Sequence, residues 1–174
     1  IDPTGLKFID FYPESIKLIP DFFSSAVLED KLPGRKAKVI TSFSMFYDLE
    51  DPVAFAVDIE KVLDDEGVWV FEQSYLPSML ETNSFDTICH EHLEFYALKQ
   101  IMFIAEKAGL KVLDVELNDI NGGSFSITAA KKGASYQVNE RLIASMLDKE
   151  TAMGLDSVDV FSSFFERVEI QKNK

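Results

Sequence analysis

Between Lys38 and Ser74 the hydrophobic period of the chain changes twice, which dictates a strand, a helix and a second strand in series. Lys38-Val39-Ile40-Thr41-Ser42-Phe43 is rich in β-branched residues and reads as a strand. Asp51-Pro52 then opens a helix. Asp can accept from the free N–H groups of a first turn, and Pro is tolerated there because its missing N–H is not needed. From that start Val53, Ala56, Ile59 and Leu63 recur at helical spacing, with Phe55 and Val62 widening the stripe. Asp64-Asp65-Glu66-Gly67 is expected to end the helix. Val68-Trp69-Val70-Phe71 follows as an apolar run suited to a strand covered on both faces of a parallel sheet. This βαβ unit commits the chain to an α/β fold.

The flanks extend the alternation. Ile16-Lys17-Leu18-Ile19 is a short strand candidate, and Ser24 to Leu32 reads as a helix stopped by Pro33-Gly34. Leu98, Ile101, Met102, Ala105 and Ala108 mark another amphipathic helix, ended by Gly109 in the position that favours a left-handed cap. Val112 to Leu117 and Ser124 to Ala129 read as neighbouring antiparallel strands joined by a polar loop. From Asn139 onward the pattern is helical, with two helices around Gly154. Ile1-Asp2-Pro3-Thr4 is similar to the end of a strand whose acid faces a ribose in nucleotide-binding α/β folds. The first strand and glycine-rich turn that would precede it are expected to be missing. No G-x-G-x-x-G occurs, which excludes a complete NAD-type site from this sequence.

Charge narrows the partners. The formal net charge is −13 over 174 residues, and such a field repels a polyanion, so nucleic acid is not expected as a partner. No apolar run reaches the ~20 residues of a membrane span, and no secretory signal is readable, so no membrane partner and a cytoplasmic location are expected. Cys89 is the single cysteine and can form neither an internal disulfide nor a multi-cysteine metal site. His90 and His92 flank Glu91. This His-x-His supplies at most three metal ligands with no evident fourth, so no metal is expected there. His is the side chain whose unperturbed pKa lets it serve as a base near neutrality.

Several motifs occur together in one order: Ile1-Asp2-Pro3-Thr4, Leu18-Ile19-Pro20-Asp21-Phe22-Phe23, Met45-Phe46-Tyr47-Asp48-Leu49-Glu50-Asp51-Pro52, Phe71-Glu72-Gln73-Ser74-Tyr75, His90-Glu91-His92 and Asn121-Gly122-Gly123-Ser124. Over nearly its whole length the chain resembles the central part of the sugar C-3 methyltransferases, which C-methylate deoxysugars. The resemblance implies a class I methyltransferase (Rossmann-like) sheet with helices on both faces and an antiparallel last strand. It implies an incomplete S-adenosylmethionine-binding domain over residues 1–131, and a helical connection over 132–174 toward a C-terminal domain not included. Zinc would belong only to a cysteine-rich N-terminal module, also not included. The small-molecule partner implied is a nucleotide-linked keto sugar; the oligomeric state is left open.

The resemblance also assigns roles. His92 is the expected base, with Glu91 orienting substrate or imidazole and Tyr96 hydrogen-bonding nearby. Asp2 would receive the ribose hydroxyls of the cofactor, and Asp21 with Phe22 would meet its adenine. Phe43 and Met45 would line the cofactor cleft, although such side chains are more often core. Glu72, Gln73 and Tyr75 follow a buried strand at the carboxyl edge where open α/β sheets bind ligands, and are expected on the substrate side with His90. Asn121 is a candidate substrate contact, or a turn residue, since Asn and Gly favour positive φ. Cys89 stands where the family carries Tyr. Two alternatives remain: an O- or N-methyltransferase of the same fold, which needs no α-proton removal, and an inactive fragment that binds no cofactor by itself.

Overall fold

The computed structural model describes residues 1–173. The βαβ unit is present as β1 (Ala37–Phe43), α2 (Pro52–Val62) and β2 (Leu63–Ser74), preceded by α1 (Ser25–Lys31). Asp51 caps α2 by accepting from the Ala54 N–H at 2.9 Å, with Pro52 in the first turn as the sequence dictates. Ser24 caps α1 in the same way through the Val27 N–H. The chain continues through α3 (Leu76–Thr82), α4 (Leu98–Lys107), β3 (Leu110–Asn118), β4 (Ser124–Lys131), α5 (Glu140–Met153) and α6 (Val158–Lys172). Gly109 and Gly154 both take positive φ at the ends of their helices, as expected.

The four strands form one open mixed sheet in the order β1-β2-β4-β3. β1 and β2 are parallel, and β4 runs antiparallel to both β2 and β3. The expected α/β architecture with an antiparallel last strand is therefore borne out, with helices flanking the sheet. Its main core gathers Phe46, Ile59, Leu63, Trp69, Phe71, Leu98, Ile101, Phe125 and Ile127. Each such side chain contributes roughly 1.5–3 kcal/mol by leaving water. Trp69 stacks on Phe71 at 3.9 Å, and its indole N–H donates to the Ser42 hydroxyl at 2.8 Å, so the ring's one polar atom is satisfied where β1 and β2 meet.

Two local expectations need correction. Asp64 to Gly67 does not simply close α2. It lies within β2 as an irregularity, because Ala37 pairs with Leu63 while Val39 already pairs with Val68. Gly67 permits this close approach: a Cβ there would stand 2.7 Å from the Ala37 carbonyl oxygen. Ile16 to Ile19 is not a strand. The Ile19 carbonyl accepts from the Asp21 N–H, a local turn, and from the Asp2 N–H of the N-terminal segment, at 3.0 Å each, without forming a ladder.

Parallel β1 and β2 place their carboxyl ends on one edge of the sheet. Phe43 pairs with Glu72, Ser74 with Ser124, and Ser124 with Asn118. That edge therefore carries the end of β1, the end of β2 and the β3–β4 turn. Among the described residues no helix is long and apolar enough to cross a membrane.

Candidate functional site

His92 lies beside this carboxyl edge because the loop after β1 captures it. The Tyr47 carbonyl accepts from the N–H groups of Leu93 and Glu94 at 3.0 and 3.1 Å, which fixes the backbone just beyond the histidine. The imidazole packs against the Tyr47 ring and, farther off, meets Phe95 edge-on at 6.4 Å. Its Nδ1 lies 2.7 Å from the Thr87 carbonyl oxygen. A carbonyl can only accept, so the neutral ring carries its proton on Nδ1 and its lone pair on Nε2. The ring is half-buried, whereas His90, Glu91 and Cys89 are exposed.

Asp48 belongs to the same cluster and was not singled out from the sequence. Desolvation raises its carboxyl above the usual range; His92 opposes that shift and Glu91 adds to it. Desolvation also raises the Tyr47 phenol. Two carboxylates thus share the neighbourhood of one imidazole.

Tyr96 and Gln73 are enclosed. The Tyr96 ring packs on Phe46 at 5.5 Å, and its buried hydroxyl has no hydrogen-bond partner among the described residues. Burial, with Glu94 adding, pushes its pKa up, so it remains a neutral donor throughout the physiological range. Gln73 is 2% exposed, and among the described residues neither its amide nitrogen nor its oxygen has a partner. Glu72, its neighbour on β2, is half-buried. Tyr75 is also buried, but its hydroxyl donates to Glu150 on α5 at 2.8 Å, so this group faces the helix rather than open space. Asn121 is exposed with φ 52° and Gly122 and Gly123 follow with φ 79° and 118°, the positive values that the turn reading requires.

The residues expected to meet the cofactor are more dispersed. Phe43 at the end of β1 is 55% exposed, while Met45 is partly buried against the main core. Phe22 is 76% exposed, and the Asp21 carboxylate accepts from the Phe22 N–H at 2.8 Å. Asp2 engages Thr4 through the side-chain hydroxyl and backbone N–H, both at 2.8 Å, and Tyr12 through its hydroxyl at 3.3 Å. Those bonds, the Thr4 hydroxyl first, hold its carboxyl below the ordinary range. Among the described residues, no hydrogen bond joins Asp2, Asp21 or Phe22 to the His92 cluster. The structure thus brings together His92, Glu91 and Asp48, and places Glu72, Gln73 and the Asn121 turn on the same edge. Among the described residues no group of three or more His, Cys, Asp or Glu converges on a metal position.

Residues 119–174 match the model of a family described as C-methyltransferase C-terminal domain. The C-methyltransferase NovU of Streptomyces niveus is 29% identical over 160 residues, covering 90% of this chain. The chain spans 38% of that relative's length. Both findings support the resemblance to C-methyltransferases drawn from the motifs. Among solved structures, LepI in complex with SAM aligns over 57% of this chain and 28% of its own, with 17% identity and a TM-score of 0.48. CalO1, a methyltransferase in calicheamicin biosynthesis in its SAH-bound form, aligns over 55% of this chain and 30% of its own, with 12% identity and a TM-score of 0.47.

Proposed function

We propose that the chain is part of an S-adenosylmethionine-dependent C-methyltransferase of the cytoplasm, acting on the carbon beside the ketone of a nucleoside-diphosphate deoxysugar. The observation that carries this reading is the tautomer of His92: with Nδ1 committed to the Thr87 carbonyl, Nε2 is a free base at the carboxyl edge of the sheet. The family match and NovU support C-methyl transfer in preference to O- or N-methyl transfer, for which no α-proton has to leave.

The residues present suit the donor's chemistry. Phe43 and Phe22 offer exposed aromatic faces for adenine, and the Asp21 carboxylate offers an acceptor for its amino group. Asp2 would exchange its bonds to Thr4 and Tyr12 for the ribose hydroxyls. When bound, the cofactor supplies an electrophilic methyl group on its sulfonium. On the protein side, His92 Nε2 takes the proton from the substrate carbon, Glu91 orients substrate or imidazole, and Asp48 lies beside the ring. Tyr96 donates to the enolate oxygen, Glu72 and Gln73 hold sugar hydroxyls, and His90 and Asn121 flank the opening. On this reading residues 1–131 belong to the cofactor-binding domain and 132–174 lead toward the next one.

The test uses full-length enzyme, a keto sugar and deuterated water without methyl donor. Deuterium should enter the carbon beside the ketone, and His92→Ala should abolish both this exchange and methyl transfer while cofactor affinity stays intact. Methyl transfer without any such exchange, or an active His92→Ala enzyme, would sink the proposal. Binding of S-adenosylhomocysteine to the 174-residue chain, followed by calorimetry, separates a competent piece from an inert one.

A further inference from the structure

Within helix α4 only Gln100 helps to cap the start, its side-chain oxygen accepting from the Ala97 N–H at 3.1 Å. The N-cap position is Ala97, which has no oxygen to accept the first free N–H groups. The acceptor for those groups comes from 52 residues beyond Leu98, where Glu150 of α5 continues the apolar stripe of Ile143 and Met146 yet is only 3% exposed. Its Oε1 accepts from the Leu98 N–H at 2.6 Å and from the Tyr75 hydroxyl at 2.8 Å, and its Oε2 accepts from the Lys99 N–H at 3.1 Å. A buried carboxylate is costly unless bonded, and here three donors and a helix N-terminus meet it.

The chain positions of those donors matter more than their number. Tyr75 immediately follows Glu72, Gln73 and Ser74 at the end of β2. Leu98 and Lys99 follow Tyr96, at the end of the stretch that carries Glu91 and His92. The two stretches already touch through an isolated parallel bridge between Tyr75 and Tyr96, in which the Leu76 N–H donates to the Tyr96 carbonyl at 2.9 Å. One carboxylate therefore clamps both segments that hold the proposed substrate-side groups, and it does so from α5, inside the stretch matched by the C-terminal-domain family.

We propose that Glu150 is a positioning residue of the site: it sets the register between the Glu72–Tyr75 and Glu91–Tyr96 segments and so couples the α5 helix to the geometry at His92. Its kinetic consequence rests on the methyl-transfer reading above, whereas the clamp itself does not. Misplacement of a reacting group by about 1 Å costs up to 100-fold in rate. Loss of the clamp is therefore expected to lower kcat by roughly ten- to a hundredfold while leaving the KM for the methyl donor unchanged.

The experiment compares Glu150→Gln, Glu150→Ala, Tyr75→Phe and the Tyr75→Phe/Glu150→Ala pair in full-length enzyme. It reads amide hydrogen exchange by segment alongside kcat and KM. Glu150→Ala should speed exchange in both segments but not in α2, and Glu150→Gln, which keeps an acceptor, should restore part of the rate. Tyr75→Phe should add little to the kcat loss already caused by Glu150→Ala, since both remove the same link. The proposal is overturned by faster exchange confined to the start of α4, by an equal rise in α2, or by an unchanged kcat in a variant whose segments have loosened. If wild-type enzyme shows no methyl transfer to any keto sugar, the earlier reading has failed. The exchange pattern then decides the clamp alone: loosening of both segments upholds it, and protection in both refutes it.

Discussion

The imidazole of His92 rests against the phenol ring of Tyr47, with centroids 4.2 Å apart and planes tilted by 50°. Tyr47 is itself buried, so the ring that supports the proposed base is anchored in the core rather than in a loose loop. Tyr47→Phe keeps that support and is expected to leave kcat within a fewfold of wild type. Tyr47→Ala should cost about 3–5 kcal/mol of stability, as for other buried aromatics, and should lower kcat by at least roughly tenfold through the freed imidazole. Denaturant titration and steady-state rates on the same two variants check both halves.

The turn between β3 and β4 depends on a residue without a side chain. Gly123 has φ 118°, its carbonyl accepts from the Tyr75 N–H at 3.0 Å, and a Cβ there would lie 2.4 Å from that of Ser78. Gly123→Ala therefore combines backbone strain with a clash against α3, and should destabilise the protein by about 1–3 kcal/mol. Adding Ser78→Gly relieves the clash but not the strain, so midpoints in urea should recover only in part.

Asp58 joins α1 to α2: its carboxylate accepts from the Ser25 N–H and hydroxyl at 3.1 and 2.8 Å and from Lys61 at 3.0 Å. Desolvation pushes its pKa upward, but the bonds from Lys61 and Ser25 outweigh that and hold the folded value below the ordinary one. A lowered carboxylate pKa stabilises the fold above the unfolded-state value, and the benefit disappears as pH falls through the folded one. Asp58→Asn should therefore lower Tm at neutral pH by roughly 2–4 °C, about 1 kcal/mol for a chain of this size. The gap should close on acidification below the carboxylate range, which melting curves at several pH values will show.

Local chemistry made much of this fold readable. Asp51-Pro52 and the stripe from Val53 to Val62 specify α2 through a cap and a period, and Gly109 ends α4 for the steric reason that ends many helices. The misreadings are matters of partnership. Ile16 to Ile19 has the composition of a strand but no neighbour to pair with, and Asp64 to Gly67 looks like a loop until β1 draws it into the ladder. Helix α3, for which no expectation was drawn, opens on Leu76-Pro77, where Pro is harmless in a first turn. At the site, His92 was legible as a candidate base from its residue type, but Thr87 meets it through a backbone carbonyl that no side-chain pattern advertises. Glu150 left one trace, an acid on the apolar stripe of α5, whose meaning appears only when Tyr75 and α4 arrive from elsewhere in the chain.

The strand order has a consequence for biosynthesis. β2 ends at Ser74, yet its inner neighbour is β4, which begins at Ser124, so one edge of the apolar run Val68 to Phe71 has no companion until the ribosome has released the chain past Lys131. During that interval the nascent protein displays an unpaired backbone, the kind of surface that recruits other nascent chains. Stalled products ending between Tyr75 and Gly123 should accordingly be substrates for chaperones and prone to clump, whereas those extending beyond Lys131 can seal the gap themselves.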